Sequence, residues 1–218
     1  RCRNHTIVWS IIMANYHDIR YNFAIPTEAN VGALTHIKTL TADASAATLS
    51  FVNGSTDVVL DNTYRTYVFK LINCHAQNNG DITYYNFSDD TSSHSYDLNK
   101  TSVYVRGRHD EDGSDGQVSN PGIGTVTSIA NGTNKQTFVV NNNADTEDNS
   151  GGELWLFNPS STTFGKHYMS TGVTVGEAAK CFVSYVGGYV NTTAAITAVQ
   201  FDLGSAWQAG DVKLYGIK

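Results

Sequence analysis

The chain has 218 residues, with 14 Lys and Arg against 20 Asp and Glu and a formal net charge of −6. Apolar residues make up 40%, and no stretch reaches the roughly 20 apolar residues of a membrane helix, so intrinsic disorder and a helical membrane span are excluded. The acidic balance gives nucleic acid no basic footprint, and three cysteines cannot build a disulfide framework, since at least one stays unpaired.

The first residues, Arg1-Cys2-Arg3, lead into the apolar run Ile7–Ile12. Six residues is at or below the length of a signal-peptide core, and no small-x-small cleavage site follows. Met13 is read as the natural start, with residues 1–12 as a non-native upstream extension; a signal segment and a genuine docking arm are the other readings. From Met13 to Asn30 an extended arm is expected, because Pro26 blocks helix and biases Ile25 to an extended conformation. The expected organisation is an N-terminal extension and arm over 1–33 and a β-sandwich domain over 34–218.

From Leu34 on, short β-runs alternate with turn clusters. The expected strands are Leu34–Leu40, Thr48–Val52, Tyr64–Asn73, Asp81–Phe87, Ser102–Arg108 and Gly124–Ala130. Then follow Thr137–Val140, Gly152–Phe157, His167–Val173, Cys181–Val190, Ala195–Leu203 and Val212–Ile217. Pairs such as Asn53-Gly54, Asp112-Gly113, Asn131-Gly132, Gly151-Gly152 and Gly187-Gly188 are read as the turns between them, because glycine and asparagine tolerate positive φ. Tyr64–Ile72 is apolar on both faces and is placed in the middle of a sheet. Only Tyr96–Lys100 and Gly176–Lys180 have room for a turn of helix. Twelve short strands without crossover helices indicate an all-β fold, an antiparallel two-sheet jelly-roll-like sandwich with an extended N-terminal arm.

The charge is uneven. Asp81 to Gly116 holds eight acids and three bases, which accounts for five of the six net negative charges. Its tightest part is His109–Gly116. Asp110, Asp112 and Asp115 are the candidate ligands if this loop holds Ca²⁺, but the EF-hand spacing is missing, and a solvated hairpin tip is the favoured reading. No cofactor is otherwise expected.

Sequence signals for catalysis are weak. There is no G-x-S-x-G elbow, P-loop or H-E-x-x-H. The seven histidines are scattered singly, and Cys74 and His75 point to opposite faces of one strand. Cys74 and Cys181 are read as small buried residues. His94 beside Asp89-Asp90 and Asp97 is read as turn chemistry. The chain is expected not to be an enzyme. Exposed aromatics are the candidates for stacking on sugars, with Trp155 and Trp207 as the leading glycan contacts and Tyr84, Tyr85 and Tyr96 behind them.

The C-terminal residues Gly188–Phe201 and Gly210-Asp211-Val212-Lys213-Leu214-Tyr215-Gly216-Ile217-Lys218 carry a resemblance. The chain resembles a family of virion structural proteins of tailed phages, notably marine ones, which end in a strand, a Gly-rich turn and Leu-Tyr-Gly-Ile. Tyr16–Tyr21, Tyr64–Phe69, Ser95–Leu98, Gly152–Pro159 and Phe164–His167 also look like that family, so the likeness spans most of 13–218. It implies a jelly-roll-like, tail- or fibre-associated or capsid-surface component, self-assembling, located in the virion, with no catalytic residues to carry over. The partners expected are copies of the chain, a trimer being one closed form, other virion proteins and a host surface glycan, with neither nucleic acid nor membrane. Tyr215 and Ile217 are expected to pack against the arm or a neighbouring subunit. The alternative is an extracellular or viral carbohydrate-binding β-sandwich.

Overall fold

The structure, a computed structural model, describes residues 34–120, 128–145, 147–176 and 179–218. The arm expected over 1–33 and the first part of the strand expected over Gly124–Ala130 lie outside the described residues.

Among the described residues there are thirteen strands and no helix. They are β1 (Thr35–Thr41), β2 (Thr48–Val52), β3 (Thr66–Ala76), β4 (Asp81–Ser88), β5 (Lys100–Asp110), β6 (Gly116–Ser119) and β7 (Ile129–Gly132). The others are β8 (Gln136–Asn142), β9 (Ser150–Phe157), β10 (Lys166–Gly176), β11 (Lys180–Val190), β12 (Ala198–Asp202) and β13 (Trp207–Ile217). Every pairing is antiparallel. The two places with room for a helical turn hold none among the described residues, because Lys100 already opens β5 and Gly176 closes β10.

The strands form an antiparallel sandwich of two sheets. The small sheet runs β8-β4-β12-β2. The large one runs β1-β13-β3-β9-β10-β11-β5, with β6 and β7 both paired to β5. A single bridge, Gly176 to Asn142, links the sheets. The pairing is nested: β1 with β13, β2 with β12, β3 with β9 and β4 with β8. Such nesting is a long two-stranded ribbon folded over. Rolling it up brings β13 beside β3 and β12 beside β4. The segments β5–β7 and β10–β11 are insertions that widen the large sheet beyond β9.

Alternation places the core. Tyr67, Phe69 and Leu71 of β3, with Leu154 and Leu214 beside them in the same sheet, share one core with Phe51, Tyr85, Phe87 and Phe201 of the other, all buried. The Phe69 ring lies 5.3 Å from Phe51 and 5.5 Å from Phe201. Each such ring contributes about 1.5–3 kcal/mol by leaving water. Strand β3 is central, between β13 and β9, as its two-sided apolarity requires.

Two glycine pairs expected as turns lie inside strands instead. Gly152 sits in β9 at φ +149°, and a Cβ there would come within 2.1 Å of the Thr171 carbonyl and 2.9 Å of the Phe138 ring. Gly188 lies in β11, where a Cβ would meet Tyr168 at 2.7 Å. Both glycines make room for a large inward ring rather than reversing the chain.

Candidate functional site

The widened part of the large sheet, β10-β11-β5, distributes its side chains in an unusual way. Long hairpin strands alternate strictly, so one set of residues faces the interior and the other faces out. The inward set of β10 is Lys166, Tyr168, Ser170, Gly172 and Thr174; that of β11 includes Phe182, Ser184, Val186 and Val190; that of β5 begins Lys100, Ser102 and Tyr104. Most of these are polar and all but Gly172 are among the buried side chains.

Their polar atoms find one another. Tyr104 Oη and Ser184 Oγ are 2.8 Å apart, and Tyr85 Oη and Ser170 Oγ 3.1 Å. Gln136 Oε1 accepts from Ser102 Oγ at 2.5 Å and from Tyr168 Oη at 3.3 Å. Thr174 Oγ1 donates to Asn142 Oδ1 at 3.0 Å. Burial pushes the phenols of Tyr85, Tyr104 and Tyr168 above their ordinary range, so they stay neutral donors.

Two lysines stand at one end of this interior. Val190 pairs with Lys166 on one side and Lys100 on the other, so both side chains share its face. Lys100 Nζ donates to the carbonyls of Leu98, Asn134 and Thr133 at 2.9, 2.8 and 3.4 Å. Lys166 Nζ donates to those of Phe164 and Thr192 at 2.8 and 3.3 Å. Each ammonium ties down two loops. Burial pushes the pKa of Lys100 down to about 8, with Asp97 opposing, and lowers that of Lys166.

The outward set is the reverse. Register aligns His36, Tyr215, Val68, Trp155, Met169, Gly187 and Val103 in one row across seven strands. The next row holds Lys213, Lys70, Glu153, Thr171, Tyr185 and Val105. A third brings Val173, Val183, Gly107 and Val118 together. Met169 and Val103 are each 57% exposed and Tyr185 54%. Val173, Val175 and Tyr189 are exposed as well. The charged groups on this face pair locally, Lys70 with Glu153 at 3.8 Å and Lys213 with Asp211 at 3.6 Å.

The candidate residues divide on this frame. Trp155 is half-buried on the outer face and lines a shallow pocket of about 230 Å³ with Glu153, Phe157, Met169 and Thr171. Trp207 corrects the expectation of a surface glycan contact: it is fully buried, and its Nε1 donates to the Ala47 carbonyl at 3.0 Å. Tyr85 is likewise interior. Tyr215 and Ile217 are both half-buried on the outer face, and Tyr215 meets His36 edge-on at 5.4 Å. Cys74 is buried, its thiol pushed up to about 12, but Cys181 is exposed on the outer face, contrary to its expected burial.

The acidic loop is an ion-paired tip. Asp110 Oδ1 lies 2.8 Å from Lys180 Nζ, and Asp115 lies 2.7 Å from Arg108 and 3.5 Å from Lys180. Asp112 accepts from the Ser114 backbone at 2.8 Å. Hydrogen bonds from Lys180 and Ser114 hold the carboxyls of Asp110 and Asp112 below the usual range. Among the described residues, no three His, Cys, Asp or Glu side chains gather as a metal site. Around His94, Asp90 Oδ2 accepts from the backbone and hydroxyl of Ser95 at 2.8 and 2.6 Å, and His94 Nδ1 sits 3.3 Å from Ser88 Oγ. This is the geometry of a tied turn.

No family model, curated protein or solved structure matches the chain.

Proposed function

We propose that the chain is a non-enzymatic virion structural protein of a tailed phage, self-assembling in a tail- or fibre-associated or capsid-surface position. The observation that carries this reading is the outward apolar face of β10, β11 and β5, set on a strand layer whose inner side mixes Ser, Thr and Lys with Phe182, Val186 and Val190. Folding of a monomer favours the opposite placement. A second copy of the chain covering that face accounts for it. The row from His36 to Val103 spans six strand gaps, about 29 Å, and the three rows extend about 14 Å, a planar area of at most about 400 Å². This supplies about half of the roughly 800 Å² per partner of a standard interface, the rest falling to elements around the three rows. The local ion pairs leave the face nearly neutral, so that two copies of it meet without like-charge repulsion.

The strand order also supports the reading. The nested order β1-β13-β3-β9 against β2-β12-β4-β8 fits a jelly-roll reading of the sandwich, an architecture common in viral shell proteins and in lectins. The likeness of the C-terminal residues to tailed-phage virion proteins points the same way, and loops 89–95 and 110–116 would then face solvent or a host. The alternative, a carbohydrate-binding module, draws on Trp155 and its pocket, which lies on the same outer face and competes with assembly for it.

Native mass spectrometry of the full chain, with peptide mapping of purified phage particles that encode it, tests the proposal. A closed homo-oligomer and a stoichiometric place in the particle are expected. A monomer at about 100 µM, or absence from the particle, overturns it.

A further inference from the structure

A second concave site opens at the end of the sandwich where β3 begins and β9 and β13 end. It is a pocket of about 370 Å³ whose walls include Asn62, Tyr64, Arg65, Asn158, Thr162 and Phe164.

The pocket is built by the backbone. The Arg65 N–H donates to the Ile217 carbonyl at 3.2 Å, and the Arg65 carbonyl accepts from Asn158 N–H at 2.6 Å. Arg65 is thus fixed between two strand ends. Asn158 takes φ +47° and turns the chain away from β9. The Ser161 N–H then bonds the Asn158 carbonyl at 3.1 Å, and Ser161 Oγ accepts the Thr163 and Phe164 N–H groups at 3.2 and 3.1 Å. The loop is closed by buried Lys166, whose Nζ holds the Phe164 carbonyl at 2.8 Å. Tyr64 lies flat on Gly216, where a Cβ would come within 2.3 Å of its ring. Both walls are therefore preorganised.

What this frame presents is unusual for a structural loop. The Phe164 ring is 69% exposed although its backbone is locked. The Arg65 guanidinium is exposed and has no carboxylate or hydrogen-bond partner among the described residues. The side-chain amides of Asn62 and Asn158 and the hydroxyls of Thr162 and Thr163 also make no hydrogen bond among the described residues. A planar cation, amides, hydroxyls and an exposed aromatic ring on a held backbone surround one cavity. A guanidinium fork recognises a carboxylate by two parallel bonds, and amides and hydroxyls pair with ring hydroxyls. An aromatic face takes the C–H face of a pyranose. Free phosphate would use the cation and leave the ring and amides idle.

We propose that this pocket binds an acidic saccharide, a hexuronate residue of a polysaccharide, with Arg65 on the carboxylate and Phe164 stacked on the ring. None of these residues lies on β10, β11 or β5, so failure of this site leaves the assembly reading intact. The test is calorimetric titration of the full chain with trigalacturonate and triglucuronate, with the methyl ester of the former and with inorganic sulfate. Saturable binding of an oligouronate is expected, weakened about 10–100-fold in Arg65→Gln. In Phe164→Ala a loss of about 2–10-fold is expected. Unchanged melting temperatures show that both variants fold. The proposal is overturned if neither oligouronate binds, if Arg65→Gln binds as well as the parent, if the methyl ester binds equally, or if sulfate displaces the sugar at equal concentration.

Discussion

The two halves of the interior bury polar side chains in different proportion. Between β2, β3, β4, β9, β12 and β13 lies a drier half, centred on Phe51, Phe69 and Phe201 in edge-on and tilted contacts. Under β10, β11 and β5 it is threaded with Ser102, Ser170, Thr174, Ser184 and Gln136, and it ends at two buried ammonium groups. The dry half gains its stability from area removed from water, which is non-directional and large. The wet half depends on every donor finding its acceptor, with a smaller net gain per bond. It also leaves several apolar residues outside, Val103, Met169, Val173 and Tyr185 among them, while Phe182, Val186 and Val190 stay inside. The rolled ribbon thus carries most of the aromatic cluster, whereas the widened sheet presents apolar side chains such as Met169, Val173 and Tyr185 on its outer surface.

The comparison breaks most easily in the dry half. Replacing Phe201 by Ala removes a ring packed against Phe51, Phe69 and Tyr85. The expected loss is about 3–5 kcal/mol, read by urea unfolding. A loss below about 1 kcal/mol would mean that this cluster does not anchor the fold.

The wet half is sharpened by pH. Lys100 has a folded pKa of about 8 against 10.5 when free. Between those values the unfolded chain holds a proton that the folded chain has released, so stability from this residue rises with pH across the window. The full difference corresponds to about 3 kcal/mol. In Lys100→Met that rise should vanish, seen as a gap between parent and variant unfolding free energies that changes from pH 7.5 to 10.5. Parallel curves would show that the three carbonyls hold the ammonium at its ordinary pKa.

Much of the fold was legible because turn chemistry and short apolar runs are local. Strand β2 coincides with the expected Thr48–Val52; β4 runs one residue past its expected end, β9 starts two residues early, and β3 is shifted by two residues at its start and three at its end. Strand β6 was hidden because Gly116–Ser119 has no alternation of its own and is held only by β5. The glycine pairs misled because Gly152 and Gly188 look the same in a turn as beneath a tyrosine or phenylalanine ring. The outer face was missed for a deeper reason. In β10 the alternation of Met169, Val173 and Val175 with Ser170 and Thr174 is plain, but a period of two does not say which phase faces the core. Here the polar phase does. Trp207 failed for the same reason, since composition marks an aromatic without marking its side of the sheet.

The central claim is that the outer face of β10, β11 and β5 is made for a second copy and is not needed for folding. Its most direct test is sedimentation of the double variant Met169→Lys, Tyr185→Lys beside the parent chain. Both sites are solvent-exposed, so monomer stability should change by no more than about 0.5 kcal/mol per site. The account predicts a parent that sediments as a closed oligomer and a variant that sediments as a folded monomer. An oligomer that survives both lysines, or a parent that is monomeric, would contradict it.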